Sequence, residues 1–247
     1  MLSVATWNIH KGFSQFNRRM VVHELRERLR SLDADIVFLQ EVQGRHERHA
    51  ARHADWPQAP QHEFLAEGVW GSHAYGRNMV YDHGHHGNAI LARYPILSVH
   101  NQDVTRLRFE KRGLLHCALA APGLALPLHC VCAHLSLFGR SRRHQYEALA
   151  NFIGANVPED APLIVAGDFN DWRGRACHLL APRLGLVEVF AAAGGRASRS
   201  YPAALPLFRL DRIYVRGLAV AACAVHHGPP WSALSDHAAL SARLVVP

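Results

Sequence analysis

The chain has 247 residues, of which 49% are hydrophobic and 19% are charged, an ordinary balance for a globular protein. No apolar run approaches the roughly 18 residues that a membrane-spanning helix needs, so the composition excludes a helical membrane protein. The formal net charge of +7 favours anionic partners such as phosphates, nucleic acid or a membrane surface, without choosing among them.

Several features predict one cytoplasmic domain over residues 1–247. No repeat, low-complexity tract or polar linker divides the chain, and Met1 leads directly into LSVATWNIH without the marks of a secretory signal. The five cysteines are odd in number and contain no CxxC pair, which is typical of a reducing compartment. Cys130 and Cys132 lie two apart in a strand-like run and are predicted to be core thiols on one face.

The chain begins with a predicted strand, helix and second strand. LSVATWN is the first strand. A helix is expected to begin at Asn17, because apolar residues then recur on one face at Val21, Leu25, Leu29 and Leu32. DIVFLQEV is a short, continuous apolar run, typical of a strand that is covered on both faces.

From about residue 77 the pattern is rich in strands, with helices between them. GNAILARYPI, GLLHCALAA and LALPLHCVCAHLS are predicted strands, the last two joined by a turn at Pro122 and Gly123. Ser141 is predicted to cap a helix that buries Tyr146, Leu149, Ala150 and Ile153. APLIVAGD is another buried strand, followed by a short helix near 173–183 and by the strands RLDRIYV, AVAACAV and AALSARLVV. This succession predicts two packed sheets with helices outside.

Histidine is abundant, with 19 copies, and two groups of histidines need an interpretation. His46, His49 and His53 share one helical face and could bind a metal, but the interleaved arginines favour a solvated surface. HGHHG, at 83–87, has no carboxylate or cysteine nearby and is predicted to be a flexible glycine-rich loop. His86 adjoins the next strand and could reach the rim of an active site.

A more informative pattern is that several apolar strands end at a polar or ionisable residue. One such end could be a routine terminus, and GDFND could be a plain turn, since Gly, Asn and Asp favour turns. Repeated ends of this kind are harder to dismiss, and carboxylate and amide oxygens suit a hard cation such as Mg²⁺. The residues concerned are Asn8, Glu41, His134, Asp168, Asn170, Asp211, Asp236 and His237.

In this order the motifs WNIHKG, LQEV, HGNAILARYPI, HLSLFGRSRRHQ, GDFND, LDRIYV and SDH resemble the endonuclease/exonuclease/phosphatase superfamily, whose members resemble type I deoxyribonuclease. The motifs span residues 7–237. The resemblance implies an α/β (α+β) fold that is a four-layer sandwich, with two packed mixed β-sheets flanked by helices. It also implies Mg²⁺-dependent cleavage of phosphoester bonds, with Mn²⁺ as the alternative ion.

The resemblance also implies which residues hold the metal. Glu41 resembles the metal-binding glutamate, Asn8 its amide partner, and Asp236 a further acidic ligand or a group behind the ligands. His10 stands where the abasic-site endonucleases carry an acidic residue, which argues against that DNA-repair subgroup. The superfamily's second glutamate, which braces the equivalent of His134, has no assigned counterpart here.

The remaining strand ends take the catalytic roles that the resemblance implies. His237 is the expected general base, and Asp211 accepts its other ring proton and so fixes the tautomer. Asp168 and Asn170 would position the attacking water and stabilise charge at the phosphorus centre. His134 would donate a hydrogen bond to a non-bridging phosphate oxygen. The chemistry is coherent, because a phosphodiester anion repels nucleophiles until a cation neutralises it and a base activates water.

Arginines near these motifs are candidates for substrate binding. Arg112, Arg140 and Arg143, with Arg142 beside them, could grip a phosphate. The alternative is a helix start with ordinary surface arginines. The segment SYPAALPLF, just before Asp211, could touch a lipid or a base, or could be a packed surface loop.

We therefore expect a phosphoesterase that hydrolyses a phosphodiester, with a lipid head group or a small molecule favoured as substrate. The arginines are scattered and no nucleic-acid-binding module is recognisable, yet a DNA or RNA nuclease is the main alternative. A non-catalytic binder of anions or nucleic acid is a weaker one, because none of the expected catalytic residues is lost. The expected partners are a phospholipid, a small phosphodiester or nucleic acid; peripheral membrane contact is an option, and no obligate protein partner is inferred.

Overall fold

The computed structural model describes residues 1–246, which form two six-stranded sheets with helices packed on them. The strands are β1 (Leu2–Asn8), β2 (Ile36–His46), β3 (Ser72–Tyr81), β4 (Gly84–Ala92), β5 (Ile96–Asp103), β6 (Gly113–Leu119), β7 (Leu128–His134), β8 (Leu163–Asp168), β9 (Val187–Glu188), β10 (Asp211–Arg216), β11 (Ala219–His226) and β12 (Ala239–Val245). The helices are α1 (Val22–Ser31), α2 (Glu47–Arg52), α3 (Gln61–Ala66), α4 (Gly139–Asn156), α5 (Arg175–Leu179), α6 (Ala181–Leu184) and α7 (Val189–Gly194).

Each sheet is mixed and has one parallel pair of strands at its centre. The strand order is β11-β12-β1-β2-β4-β3 in the first sheet and β5-β6-β7-β8-β10-β9 in the second. The strands β1 and β2 run parallel, as do β7 and β8, and the other neighbours are antiparallel. Each sheet therefore brings the carboxyl ends of two neighbouring parallel strands together, those of β1 and β2 in the first sheet and those of β7 and β8 in the second.

The sheets pack face to face, and their outer faces are covered by helices. Phe38 and Ile90 of the first sheet share an inner core with Cys132 and Ile164 of the second. On the outside, Leu25 and Leu29 of α1 join the core of the first sheet, while helix α4 covers the second. Each fully buried aliphatic side chain contributes about 1.5–3 kcal/mol relative to exposure. The predicted four-layer sandwich of two mixed sheets and flanking helices is confirmed.

Two predicted helix starts are wrong. Phe16 and Asn17 have φ angles of 62° and 54°, which a right-handed helix does not allow, so the chain makes a tight turn there and α1 begins at Val22. The helix predicted to be capped by Ser141 begins earlier, at Gly139, with Phe138 as the capping residue. Ser141 is instead buried within the first turn.

The predicted glycine-rich loop at 83–87 is also wrong, because β4 begins at Gly84. A side chain at Gly87 would place its Cβ 1.8 Å from the carbonyl oxygen of Gly76 on the neighbouring strand. One at Gly84 would lie 2.0 Å from the carbonyl oxygen of Arg45. These glycines permit close approach of strands rather than flexibility. Within residues 1–246, no helix is both long and apolar enough to cross a membrane.

Candidate active site

The sheet topology collects the polar strand ends at one edge of the molecule. The carboxyl ends of the parallel strands β7 and β8 meet there, with His134 opposite Asp168 in the register. Strand β10 is antiparallel to β8, so its first residue, Asp211, pairs with Asp168. In the other sheet β1 ends at Asn8, and β12 begins two residues after His237.

Glu41 reaches this edge through an irregularity in β2. The register between β2 and β4 shifts between Leu39 and Val42, and Glu41 has a φ angle of 55°. Such a conformation costs of the order of 1–3 kcal/mol for a residue with a side chain, so it persists only where the surroundings enforce it. Gln40 is fully buried, while the side chain of Glu41 is 20% exposed and lines the cleft. The bulge therefore aims Glu41 away from the core and into the site.

His237 and Asp211 form a hydrogen-bonded pair. The Nδ1 atom of His237 lies 2.8 Å from Oδ2 of Asp211, which assigns the Nδ1 proton to that bond. Trp7 donates from Nε1 to the carbonyl oxygen of His237 at 2.8 Å. The His237 backbone N–H donates to the Ser235 hydroxyl, which itself donates to the Asn8 carbonyl oxygen at 2.7 Å. The ring is thus held by both its side chain and its backbone.

Asp168 lies between the two histidines. Its Oδ2 atom is 3.8 Å from Nε2 of His237, 3.6 Å from Nε2 of His134 and 3.2 Å from Nδ2 of Asn8. Its Oδ1 atom accepts a hydrogen bond of 2.9 Å from the backbone N–H of Asn170. Asp168 is therefore the hub at which the strand ends of both sheets meet.

The buried acids and His237 share charge. Burial lowers the pKa of His237, but the carboxylates of Asp211 and Asp168 outweigh that effect and raise it to about 10. Burial, together with the charge of Asp211, raises the pKa of Asp168 to about 7 against the pull of His237. In the metal-free protein the imidazole ring of His237 is therefore protonated at neutral pH and neutralises its neighbours.

Glu41 remains ionised even though it is largely buried. Burial alone would raise its pKa, but Lys11, whose Nζ atom lies 3.4 Å from Oε2, and His134 hold it below the ordinary value. Asn8 Nδ2 lies 3.4 Å from the other oxygen, Oε1. No group within residues 1–246 makes a hydrogen bond to Oε2. An ionised carboxylate whose Oε2 faces only the charge of Lys11 is a suitable ligand for a hard cation that can take the place of that charge.

Two sets of residues could hold such a cation. Among the residues described, Asp168, Asp211 and His237 place their ligating atoms within 4.8 Å of one another. However, Nδ1 of His237 is already engaged with Asp211, and Mg²⁺ prefers oxygen ligands. Glu41 and Asn8, with Asp236 in the same cleft, offer oxygens outside that hydrogen bond. The oxygen-rich set fits Mg²⁺ better.

His134 has a different electrostatic environment from His237. Burial and the nearby positive charge of Arg112 place its pKa well below the usual value, so its ring is neutral. In the part of the chain that the structure describes, no carboxylate is hydrogen-bonded to it, and Asp168 at 3.6 Å is the carboxylate within ion-pair distance. A counterpart of the superfamily's bracing glutamate is therefore absent from the described contacts. A neutral imidazole still has one N–H to donate.

The site is a small cleft of about 170 Å³ that combines polar groups with an apolar rim. All eight polar strand ends except Asp211 line it, and Asp211 sits behind His237. The remaining lining residues are Arg112, Leu137, Trp172, Tyr201 and Leu210. The ring centre of Tyr201 is 5.0 Å from that of His237. The volume accommodates a phosphodiester group, while larger parts of a substrate would extend past the rim.

The candidate arginines are distributed differently from one another. Arg112 lines the cleft, but its guanidinium already donates to Leu135 O and Lys111 O and to Oε1 of Glu110. Arg143 lines a neighbouring groove, and Arg140 is exposed at the start of α4, outside the cleft lining.

The candidate histidines also differ. His86 lies close enough to Glu41 to feel its charge, although burial and Lys11 lower the pKa of His86 to about 4. His46, His49 and His53 lie outside the cleft lining and are half-buried rather than on a fully solvated face. His49 and His53 pack against Phe13, and His46 packs against His49.

Three site residues were not anticipated from the sequence. Lys11 approaches Glu41 because His10 and Lys11 both have positive φ angles, which no side-chain pattern announces. Trp172 follows GDFND directly, and its position beside that motif was the available signal. Tyr201 belongs to the segment SYPAALPLF, where the proline-rich composition concealed a residue beside His237.

The comparison with protein families agrees with this geometry. The model of the Endonuclease/Exonuclease/phosphatase family matches residues 5–237. The chain belongs to this family. Its members are hydrolases that act on phosphoester bonds, and the resemblance found in the motifs is confirmed.

Relatives extend over nearly the whole chain. "Uncharacterized protein YbhP" of Escherichia coli K12 is 47% identical over 241 residues, which cover 98% of this chain and 95% of that protein. An endonuclease/exonuclease/phosphatase from Beutenbergia cavernae has a TM-score of 0.77 at 18% identity, covering 99% of this chain and 71% of that one. D. rerio TDP2, crystallised with a single strand DNA product, has a TM-score of 0.70 at 20% identity and covers 98% of both chains. At these identities the two solved structures support the fold alone.

Proposed function

We propose that this protein hydrolyses a phosphodiester with the help of a divalent cation, Mg²⁺ in the first place and Mn²⁺ as the alternative. The observation that carries the proposal is the hydrogen bond between His237 and Asp211, with Nε2 of His237 turned towards Asp168. This arrangement is suited to taking a proton from a water molecule, because Asp211 orients the ring and stabilises its charge.

Glu41, Asn8 and Asp236 would hold the cation. The Oε2 oxygen of Glu41, which accepts no hydrogen bond within residues 1–246, and the wholly oxygen-based donor set support this assignment. A bound cation would supply positive charge that draws electron density from the phosphate and opposes the carboxylates that keep His237 protonated. Lys11 would then no longer be needed to neutralise Glu41.

The remaining polar residues act on the water and on the phosphate. His237, once neutral, accepts the proton of the attacking water at Nε2, and Asp211 keeps the other ring nitrogen protonated. Asp168 and Asn170 orient that water, since the Asn170 backbone N–H fixes the carboxylate of Asp168. The neutral ring of His134 donates to a non-bridging oxygen as negative charge grows there.

The preferred substrate is a lipid head group or a small phosphodiester. Large apolar side chains are exposed on both sides of the cleft: Phe109 and Phe138 on one side, and Leu205 and Phe208 on the other. Phe138 follows Leu137 of the cleft, and Phe208 contacts Trp172. Apolar loops beside a catalytic site favour a substrate presented at a lipid surface. The second candidate is a nuclease, favoured by the net charge of +7 and by basic residues beside the cleft.

Parallel hydrolysis assays test the proposal. Phospholipid vesicles, plasmid DNA and bis(p-nitrophenyl) phosphate would each be incubated with the protein in Mg²⁺, in Mn²⁺ and in EDTA, with His237→Ala as the blank. Metal-dependent turnover that the variant loses supports the assignment, and the substrate cleaved fastest identifies the class. Turnover that survives in His237→Ala contradicts the role of this residue, and turnover that survives in EDTA contradicts the cation.

A further inference from the structure

A second, larger groove opens directly beside the catalytic cleft. It has a volume of about 590 Å³ and lies between the first turn of α4 and the segment that leads into α5. Leu137 and Trp172 line both the cleft and this groove, so the two cavities share one wall. The basic side chains of the groove are Arg142, Arg143, Arg173, Arg175 and His178. We call it the arginine groove.

The arginines of this groove lack counterions. Arg143, Arg173 and Arg175 are exposed, and none of the four arginines lies within 4.0 Å of a carboxylate oxygen elsewhere in residues 1–246. The nearest acid in sequence, Asp171, is buried and accepts hydrogen bonds from the backbone of Arg175 and Ala176. Like charges gathered without partners repel one another, so an anion bound among them is strongly favoured.

Two buried groups indicate that the groove is a built site rather than a crowded surface. Arg142 is only 6% exposed, and its Nη1 donates to the carbonyl oxygens of Ser136 and Leu137 at 2.7 and 3.0 Å, which fixes the shared wall. Tyr146 is 3% exposed and lines the groove. The polar side chain that approaches its hydroxyl is Arg142, which can only donate, so the phenolic O–H has no acceptor in residues 1–246. A buried donor without a partner costs about 1–3 kcal/mol unless a ligand or water satisfies it.

From this geometry we propose that the arginine groove binds a second phosphate of the substrate while the scissile phosphodiester lies in the cleft. The inference rests on the proposed function and narrows it to substrates with two phosphates. Arginine binds phosphate through paired N–H groups, and Tyr146 adds a neutral donor. The part of the substrate that joins the two phosphates passes over Leu137 and Trp172. The second phosphate belongs either to a neighbouring nucleotide or to a phosphorylated lipid head group, and the chemistry of recognition is the same.

Binding of two product-like ligands tests this without turnover. Calorimetry in Mg²⁺ would compare thymidine 3′,5′-bisphosphate with thymidine 5′-monophosphate, which differ by one phosphate. We expect the bisphosphate to bind at least tenfold more tightly to the natural protein, and the ratio to fall towards one in Arg143→Ala and in Arg173→Ala. Arg196→Ala, an exposed arginine away from the groove, is the matched control and should keep the ratio. Equal affinity for the two ligands in the natural protein would overturn the proposal.

Two further measurements separate this inference from the proposed function and identify the source of the phosphate. The preference should weaken as salt rises from 50 to 200 mM, because it depends on charge. Competition of the bisphosphate by a short oligonucleotide, or by vesicles of phosphatidylinositol 4-phosphate, shows which source the groove accepts. If no substrate is hydrolysed but the binding ratio is as expected, the proposed enzymatic function is contradicted and the phosphate-binding role of the groove is supported. If hydrolysis is normal but both ligands bind equally, only the proposed role of the groove is contradicted. The same holds if the ratio of the two affinities does not change in the groove variants.

Discussion

The catalytic cleft and the arginine groove share a wall but handle charge in opposite ways. In the cleft, buried acids and His237 neutralise one another at distances between 2.8 and 3.8 Å. In the groove, exposed arginines stand without counterions. Charges that are paired and buried depend on exact geometry, whereas exposed and unpaired charges act through a field that salt can screen.

This difference indicates how substitutions should behave. A conservative change in the cleft leaves a buried partner unsatisfied, so its effect should be steep. A change in the groove removes one of several similar charges, so its effect should be graded and dependent on salt. The predictions below test the cleft side of that contrast, from the largest expected effect to the smallest.

His237→Ala should lower kcat by about 10²–10⁴-fold, because it removes the proton acceptor. Asp211→Asn should also lower kcat, since the ring keeps a partner but loses the charge that stabilises its protonated form. Steady-state hydrolysis of bis(p-nitrophenyl) phosphate measures both. The control is His226→Ala, whose ring is half-buried on β11 and hydrogen-bonded to Ser241. If His237→Ala keeps a kcat close to that of the natural protein, the steep effect expected of substitutions in the cleft is contradicted.

Gly167→Ala should destabilise the fold by about 2–4 kcal/mol. Gly167 has a φ angle of 143°, and a Cβ there would lie 2.0 Å from the carbonyl oxygen of Ala133 on the neighbouring strand. Urea unfolding measures the loss. Gly154→Ala is the matched control: it lies in α4 with open space around it, and alanine there should stabilise the helix by roughly 0.5–1 kcal/mol. A neutral Gly167→Ala would show that the strands can separate at this point.

Gly167 also shows what the sequence could and could not reveal. The motif GDFND was recognisable as a strand end, because the apolar run before it and the acids after it are local signals. The close approach of β7 and β8 that requires a glycine depends on strand register, which residues far apart in the sequence determine. The sheets, the layers and the eight polar strand ends were predictable because local signals of this kind mark them in the sequence.

Two of the misses share a physical cause. Asn17, wrongly predicted to begin a helix, and Lys11, not anticipated in the site, both adopt positive φ angles, which neither propensity nor periodicity predicts. The arginine groove was anticipated only in part, through Arg142 and Arg143, because Arg173 and Arg175 come from a different segment and meet them through folding. Cytoplasmic localisation and the single domain stay predictions.

Glu41→Gln should weaken Mg²⁺ binding by about 10–100-fold, because it keeps the size of the side chain and removes its charge. Calorimetric titration of the metal-free protein with MgCl₂ measures this independently of turnover. Glu24→Gln, an exposed glutamate on α1, is the matched control and should bind as the natural protein does. Unchanged Mg²⁺ affinity in Glu41→Gln would contradict the assignment of Glu41 as a ligand and would favour a cation site at Asp168 and Asp211.

A last effect should appear in the pH dependence of stability without metal. The folded-state pKa of His237 is raised to about 10 from an ordinary value of 6.5. The stabilisation this provides is fully present below pH 6.5 and is lost as pH rises towards 10. In EDTA, urea unfolding of the natural protein should therefore lose more stability between pH 7 and 10 than that of His237→Gln, which cannot titrate. If the stability of the two proteins changes with pH in the same way, the proposed charge interaction of His237 with Asp211 and Asp168 is contradicted. Arg143→Ala should follow the natural protein across this range, because arginine stays protonated throughout it.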